Sequence, residues 1–173
     1  FSNNLNDQIS FGLGSEYKYD WGYFDNNGSY SASTKGNIDN FSIFGNIGWE
    51  PFKTVNFSIF TRRDKHKLTG NNSTFKLSFD KSFDDLNLGI SHMTGLRNPT
   101  LYELFGTDNF GYSGNRNLKP EKSNTYEIYS SYSINNNVNF LVRAFKSNIK
   151  NNIENINNQY QNDDDNIDLN QSG

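Results

Sequence analysis

Few residues of this chain have the types and spacing that catalysis requires. His66 and His92 are the only two imidazoles, and they lie on different predicted strands. Neither a His-based metal site nor a Ser-His-Asp triad is therefore indicated. The chain has no Cys, which excludes a disulfide framework, a thiolate metal site and a thiol nucleophile. Phosphate-loop and dinucleotide-binding fingerprints are also missing from the sequence, so we expect no enzymatic activity.

An acidic run near the carboxyl end has oxygen ligands of the kind that Ca²⁺ prefers. It comprises Asp163, Asp164 and Asp165, and Asp168 follows shortly after. The run lacks the Gly and the Glu at the offsets of an EF-hand loop, so an ordinary acidic loop is favoured over a calcium site. The three aspartates remain a weak metal candidate, and we expect no other cofactor.

The segment from Phe105 to Arg116 has the composition of a binding loop, with aromatic rings and one Arg among Gly and Asn. Phe110, Tyr112 and Arg116 are the candidate ligand contacts, because rings beside a guanidinium suit a large solute that is partly apolar and partly anionic. A solvated loop that only packs on its neighbours is the equally weighted alternative. The run Arg62–Lys67 is interpreted as a solvated charge cluster near lipid headgroups.

The elements that position these residues show strand periodicity nearly throughout. Apolar and aromatic residues alternate with Ser, Gly, Asn, Lys and Glu, which is the period-two pattern of a half-buried strand. The pattern predicts seven strands and the beginning of an eighth, with no helix longer than a turn or two. Short turns rich in Pro, Asn and Asp alternate with longer connections over 24–37, 63–72 and 96–122. The sequence therefore predicts an all-β antiparallel meander that forms an open curved sheet.

Two environments could accommodate such a sheet. In an outer-membrane barrel the apolar face meets lipid and the polar face lines a wet lumen, and strands of 9–11 residues cross the membrane. In a soluble extracellular β-sandwich the apolar face is internal, and Trp21, Tyr23 and Trp49 would be stacking platforms for carbohydrate. The aromatic residues near strand ends and the length of the strands favour the barrel.

Composition narrows the partners further. Only 33% of the 173 residues are hydrophobic while 16% are aromatic, and the net charge is −3. The near-neutral charge, with only short basic runs, argues against a nucleic-acid partner. No run reaches the roughly 18 apolar residues of a membrane helix.

A two-part motif lies between two predicted strands: Gly95-Leu-Arg-Asn-Pro-Thr-Leu-Tyr-Glu-Leu-Phe-Gly106, then Gly114-Asn-Arg-Asn-Leu-Lys-Pro-Glu-Lys-Ser123. In order and spacing it resembles the signature of TonB-dependent outer-membrane receptors. Leu96 replaces an aromatic residue of that signature and Asn98 replaces a small one. The matching positions are Arg97, Pro99, Leu101, Glu103, Leu104, Asn115, Leu118, Pro120, Glu121 and Ser123.

The resemblance implies that residues 1–173 are part of a receptor barrel in the bacterial outer membrane, with the plug domain and the closing carboxyl-terminal strand outside this stretch. It implies a transporter whose partners are membrane lipid and lipopolysaccharide, TonB through the plug, and a small-molecule ligand. Arg97, Glu103 and Glu121 would order an extracellular loop against the barrel wall. The compact motif looks most like that of cobalamin receptors, while ferric-siderophore and haem receptors stay open as alternatives.

Overall fold

The computed structural model describes residues 2–26, 31–135, 138–163 and 167–172 of the chain, and most of these residues are in β-strands. The elements in chain order are β1 (Ser2–Asn6), β2 (Ile9–Asn26), β3 (Ala32–Phe52), β4 (Val55–His66), β5 (Gly70–Phe83), β6 (Leu86–Arg97), α1 (Leu101–Phe105), β7 (Gly106–Asp108), β8 (Glu121–Asn135), β9 (Val138–Lys150), β10 (Asn152–Ile156), β11 (Gln159–Asp163) and β12 (Ile167–Ser172). Among the residues that the structure describes, no helix has the length and apolar character needed to cross a membrane.

Nine strands form one antiparallel sheet in the order β1-β2-β3-β4-β5-β6-β8-β9-β12, and the short strand β7 adds to β3. Each strand on the path pairs with its neighbour in sequence, apart from the insertions before β8 and β12. This confirms the predicted meander. A single path of nine strands also contradicts the β-sandwich alternative, because a sandwich needs two facing sheets with crossing connections.

The register assigns each side chain to one of two faces. Residues directly opposite on paired strands share a face, and Ile43, Ile59, Leu77, Ile90 and Ile128 fall on one face, which we call the apolar face. The alternate residues form the polar face. Its members include Glu16, Ser42, Arg62, Asp64, Ser78 and Glu127.

The apolar face is uncovered in this chain. Ile43 is 52% exposed and Ile128 is 58% exposed, and many other aliphatic and aromatic side chains of this face are exposed in the same way. Soluble proteins rarely expose a contiguous apolar surface of this extent. Such a face requires an apolar solvent, which a lipid bilayer provides.

The structure differs from the prediction in the number of strands and in the length of two connections. The pattern resolved seven strands and the beginning of an eighth, whereas the path has nine, because β1 and β12 are short and polar and carry little alternation. The predicted long connection over 63–72 is wrong, since β4 continues to His66 and only Lys67–Thr69 separate it from β5. The predicted connection over 24–37 is likewise mostly strand, because β2 runs to Asn26 and β3 begins at Ala32.

Candidate functional site

The connection between β6 and β8, residues 98–120, contains most of both halves of the motif, and it begins with a capped helical turn. The Thr100 hydroxyl accepts a hydrogen bond from the Glu103 backbone N–H at 3.2 Å. The Thr100 backbone N–H in turn donates to Glu103 Oε2 at 2.7 Å. This reciprocal capping box satisfies donors that the start of a helix otherwise leaves unpaired, and it positions α1 immediately after the buried Pro99.

Arg97 connects three segments of the chain through its guanidinium, a group suited to paired carboxylate contacts. It is the last residue of β6 and pairs in register with Glu121, the first residue of β8. Its Nε and Nη2 donate to the two carboxylate oxygens of Glu121 at 2.6 and 2.7 Å. Its Nη1 donates to Glu103 Oε1 at 3.1 Å. We call Arg97, Glu103 and Glu121 the charged clamp.

The charged clamp also reaches the β10–β11 hairpin. Glu121 Oε1 accepts a hydrogen bond from the Ile153 backbone N–H at 2.8 Å. The Asn115 side-chain amide donates to the Tyr160 carbonyl at 3.0 Å, and the Asn115 backbone N–H donates to the Glu103 carbonyl at 2.8 Å. These bonds satisfy backbone groups of both segments, which a folded-back loop needs because its polar atoms are removed from water.

A small hydrophobic core lies beneath the loop. Leu104, 1% exposed, packs with Leu118, Ile38 and Ile153. Leu101, Phe105 and Tyr160 are partly buried against this group. Ile38 belongs to the polar face of β3, so the loop lies over the polar face of the sheet and not beside it.

Glycine on β3 permits this close approach. A Cβ on Gly36 would lie 2.5 Å from the Phe105 ring, a distance that real Cβ contacts do not reach. Farther along the loop, β7 pairs with the start of β3, with Gly106 opposite Thr34 and Asp108 opposite Ala32. The loop is thus joined to the sheet by packing and by backbone hydrogen bonds.

The three candidate ligand contacts have different surroundings. Tyr112 is only 5% exposed, stacks on Tyr102 at a centroid distance of 4.7 Å, and donates its hydroxyl to the Tyr102 carbonyl at 2.7 Å. Burial raises the pKa of the Tyr112 phenol well above its usual range. Phe110 is 58% exposed. Arg116 is exposed as well, with its guanidinium 5.0 Å from the centre of the Phe105 ring.

Some residues of the loop were not identified from the sequence. The capping box of Thr100 was readable, because Thr-x-x-Glu before a short apolar stretch is its signature. Asp108 also has a local signal, since its Oδ1 accepts from the Phe110 and Tyr112 backbone N–H groups at 2.8 Å each, as Asp does in turns. No local pattern indicates that Tyr160 packs edge-on against Tyr112.

The charged run Arg62–Lys67 is divided between the two faces by the alternation of β4. Arg62, Asp64 and His66 lie on the polar face, whereas Arg63 and Lys65 lie on the apolar face. Arg62 donates to Glu16 Oε2 at 2.6 Å and to Ser42 Oγ at 2.7 Å, and Asp64 accepts from Ser42 at 2.6 Å. The polar-face half is thus an ordered network across β2, β3 and β4, and only the other half matches the predicted solvated cluster.

The predicted metal candidates lie only partly within the described residues. Asp163 ends β11, while Asp164 and Asp165 fall outside those residues. Within the described ranges, no group of three or more His, Asp or Glu residues is arranged to hold a metal ion. His66 Nδ1 accepts from the Thr69 backbone N–H at 3.1 Å, and His92 stacks on Tyr126 on the apolar face, so the two imidazoles are apart.

The comparison with protein families gives one match over nearly the whole chain. The family described as TonB dependent receptor-like, β-barrel, matches residues 1–172. No curated protein sequence gave a significant match.

Solved structures resemble the fold. A mutant of the ferric enterobactin receptor PfeA from Pseudomonas aeruginosa, in complex with enterobactin, superposes with a TM-score of 0.73 at 20% identity, over 89% of this chain and 26% of that one. A double mutant of the Serratia marcescens hemophore receptor HasR, in complex with HasA and heme, gives 0.74 at 13% identity, over 99% and 37%. The siderophore receptor PirA from Pseudomonas aeruginosa gives 0.67 at 15% identity, over 88% and 35%. The chain therefore spans about a quarter to a third of these receptors.

Proposed function

Because this chain belongs to the TonB-dependent receptor β-barrel family, we propose that it forms part of the transmembrane wall and an extracellular loop of a receptor that imports a scarce, bulky solute. Members of this family are bacterial outer-membrane transporters, so the chain belongs to that membrane. The nine-stranded sheet with one apolar and one polar face supports a place in the barrel wall. In this proposal the receptor contacts TonB through a plug domain, as the family resemblance implies.

The observation that supports a ligand-receiving role is how the 98–120 loop is held. The charged clamp, the capping box and the core around Leu104 fix the loop over the polar face. Phe110 and Arg116 of this loop are exposed. A loop fixed at its base presents such groups in a defined place, which lowers the entropic cost of binding.

The proposed substrate is an iron chelate, either a ferric siderophore or haem. Aromatic rings and a guanidinium suit a large ligand that has rings and negative charge. Two solved structures with a similar fold are receptors in complex with enterobactin and with a hemophore and heme. The structural similarity to these receptors supports the fold directly, and it supports the substrate by analogy.

A corrinoid such as cobalamin is the second candidate, and it is favoured by the motif alone. The compact Asn98–Gly106 element with Gly114–Ser123 looks most like the cobalamin branch of the family. The phosphate and the large, partly apolar ring system of cobalamin would suit the same exposed Arg116 and Phe110.

The test measures binding and uptake by the full-length protein in the outer membrane. Cells of a strain that lacks its own receptors are given radiolabelled ferric enterobactin, haem or cyanocobalamin. We expect energy-dependent uptake of an iron chelate. Uptake of cyanocobalamin alone would replace the first candidate with the second, and the absence of uptake under de-energised conditions is the control for TonB coupling.

The contribution of the loop is tested with the double variant Phe110→Ala/Arg116→Ala. We expect about tenfold weaker binding, because an exposed ring and an Arg are the residue types that dominate contact energies. Phe52→Ala/Lys53→Ala is the matched control, since it removes a ring and a cation from an exposed turn at the opposite end of the sheet. Equal binding by both variants and the unaltered protein would show that this loop is not a contact.

A further inference from the structure

The part of the loop that contains Phe110, residues 108–112, is closed into a turn by hydrogen bonds to Asp108. We call it the Phe110 turn. Asp108 Oδ1 accepts from the backbone N–H groups of Phe110 and Tyr112, both at 2.8 Å. The Asp108 backbone N–H donates to the Tyr112 carbonyl at 3.1 Å. Gly111, between the two aromatic residues, has a φ of 92°, a left-handed conformation that favours glycine. The local sequence therefore sets the shape of this turn.

The β10–β11 hairpin holds the Phe110 turn from a distant part of the chain. The Asn158 side-chain amide donates to the Phe110 carbonyl at 3.2 Å, across 48 positions of sequence. The Asn158 carbonyl accepts from the Ser113 backbone N–H at 3.2 Å. Asn157 and Asn158 have φ values of 53° and 63°, a conformation that Asn adopts more readily than most residues. Among the described residues, the Asn157 side chain makes no hydrogen bond to the loop. The two asparagines thus share a backbone conformation but differ in their contact with Phe110.

A third segment, the chain just before β3, also contacts the Phe110 turn. The Ser31 carbonyl accepts a hydrogen bond from the Asn109 backbone N–H at 3.1 Å. The turn is thus bonded to its own Asp108, to Ser31 and to Asn158, which come from three separate parts of the chain. With its N–H and C=O groups both bonded, Phe110 is left with the two side-chain torsions of its ring as its main freedom.

The Phe110 ring contributes little burial in return for this ordering. It is 58% exposed, whereas Tyr112 in the same turn is 5% exposed and stacks on Tyr102. Ordering a loop backbone costs conformational entropy, which the burial of apolar side chains normally offsets. Tyr112 supplies such burial and Phe110 does not. An exposed ring on an ordered backbone instead lowers the entropic cost of a contact with a bound molecule.

We propose that Asp108 and Asn158 are positioning residues for solute binding, which hold the Phe110 backbone from both sides so that its ring meets the solute in one orientation. The Asp108 carboxylate fixes the N–H of Phe110, and the Asn158 amide fixes its carbonyl. The β10–β11 hairpin thereby takes part in binding through the loop. This role rests on the proposed function, in which Phe110 contacts the imported solute, and it adds two residues that act through that contact.

The test measures equilibrium binding of radiolabelled ferric enterobactin, haem and cyanocobalamin by the full-length receptor in outer-membrane vesicles. Asn158→Gly removes the amide donor and keeps a residue suited to positive φ. We expect it to weaken binding of the recognised solute about fivefold, on the order of the cost of immobilising one side chain. Asn157→Gly makes the same change one residue earlier in the hairpin turn, and it is expected to bind like the unaltered protein.

A double-mutant cycle separates positioning from general stability. Each hairpin variant is combined with Phe110→Ala, which removes the ring that Asn158 is proposed to position. We expect Asn158→Gly to change binding by less than about twofold in that background, because residues that act through one contact are not additive. A purely structural role of Asn158 would weaken binding by the same factor with and without the ring.

Asp108 is tested with two substitutions. Asp108→Ala removes the acceptor of both N–H groups and is expected to weaken binding about fivefold as well, for the same entropic reason. Asp108→Asn keeps a side-chain oxygen as acceptor and should restore most of the binding lost in Asp108→Ala. Hydrogen exchange of residues 152–163 checks that the hairpin is folded in every variant.

Equal binding by Asn158→Gly and Asn157→Gly would overturn the positioning role, as would an Asn158→Gly effect that keeps its full size without the ring. In both cases weaker binding by Phe110→Ala would still support the solute contact of the proposed function. If Phe110→Ala binds like the unaltered protein, the contact and the positioning role fail together. The import function is judged separately, by energy-dependent uptake.

Discussion

The sheet and the 98–120 loop are stabilised in opposite ways. On the apolar face of the sheet large side chains are exposed, and the strands are joined by continuous ladders of backbone hydrogen bonds. The loop has short strands and one helical turn, yet it contains most of the buried hydrophobic residues of the described chain. A barrel wall therefore depends on the membrane for its apolar contacts, whereas the loop depends on a small core of the kind found in soluble domains.

The largest expected effect that tests this comparison is loss of the loop core. Leu104→Ala should lower the free energy of loop opening by about 3 kcal/mol, because it removes a fully buried side chain and leaves a cavity. Hydrogen exchange of residues 98–120 and 152–163 measures the opening. Ile43→Ala on the apolar face is the control and should change it little, since lipid or detergent fills the space. A comparable effect of both variants would contradict the comparison.

The next effect concerns the charged clamp. Arg97→Met should lower the free energy of loop opening by about 2 kcal/mol, because the mostly buried carboxylates of Glu103 and Glu121 lose their cation. The same exchange measurement applies. Arg143→Met is the matched control. Arg143 is exposed, and its Nε lies 3.5 Å from Glu127 Oε2 in an ion pair between β9 and β8 that does not involve the loop. Unchanged exchange in Arg97→Met would show that packing alone holds the loop.

A smaller effect is expected at the helix cap. Thr100→Ala should lower the free energy of loop opening by about 1 kcal/mol, the usual value for a lost side-chain cap. Thr100→Ser keeps the hydroxyl and should restore most of the protection. If Ser behaves like Ala, the hydroxyl is not the stabilising group.

The smallest effect at neutral pH is that of Tyr112→Phe. It removes one hydrogen bond to the Tyr102 carbonyl, worth about 1 kcal/mol or less. The folded-state pKa of Tyr112 is raised by burial, so its contribution is fully present below the unfolded pKa of about 10 and is lost as the pH rises above it. Limited proteolysis of the loop should therefore accelerate in alkaline solution more in the unaltered protein than in Tyr112→Phe. Parallel pH profiles would contradict this.

The sequence predicted the part of the sheet that has lipid on one face and water on the other. Where lipid contacts one face and water the other, alternation is strict, as at Phe75, Leu77 and Phe79, and this central part of β5 was found correctly. Beyond the membrane both faces of a strand are wet. Alternation is then not required, which explains why the ends of β4 and β3 were taken for loops. The strands β1 and β12 are short and polar, so β1 was missed and the carboxyl end was predicted only as the beginning of an eighth strand.

The loop was predictable only where its signal is local. The motif identified Arg97, Glu103 and Glu121, and their mutual contacts follow from the ends of two paired strands and one helical turn between them. The contacts with Ile153 and Tyr160 join positions more than thirty residues apart in sequence. No period or spacing in the sequence encodes such contacts. The local signal of the β10–β11 hairpin is its turn at Asn157 and Asn158, both with positive φ. Such a turn fixes the hairpin but not where it packs.

The pairing of β7 with β3 has a mechanical consequence. Ala32–Asp39 of β3 extend beyond the end of β4, and β7 occupies the vacant edge of that overhang. The start of β3 and the 98–120 loop are therefore joined side by side by the backbone hydrogen bonds of this pairing. The two segments therefore move together, because neither can separate from the other without breaking the backbone hydrogen bonds between β7 and β3.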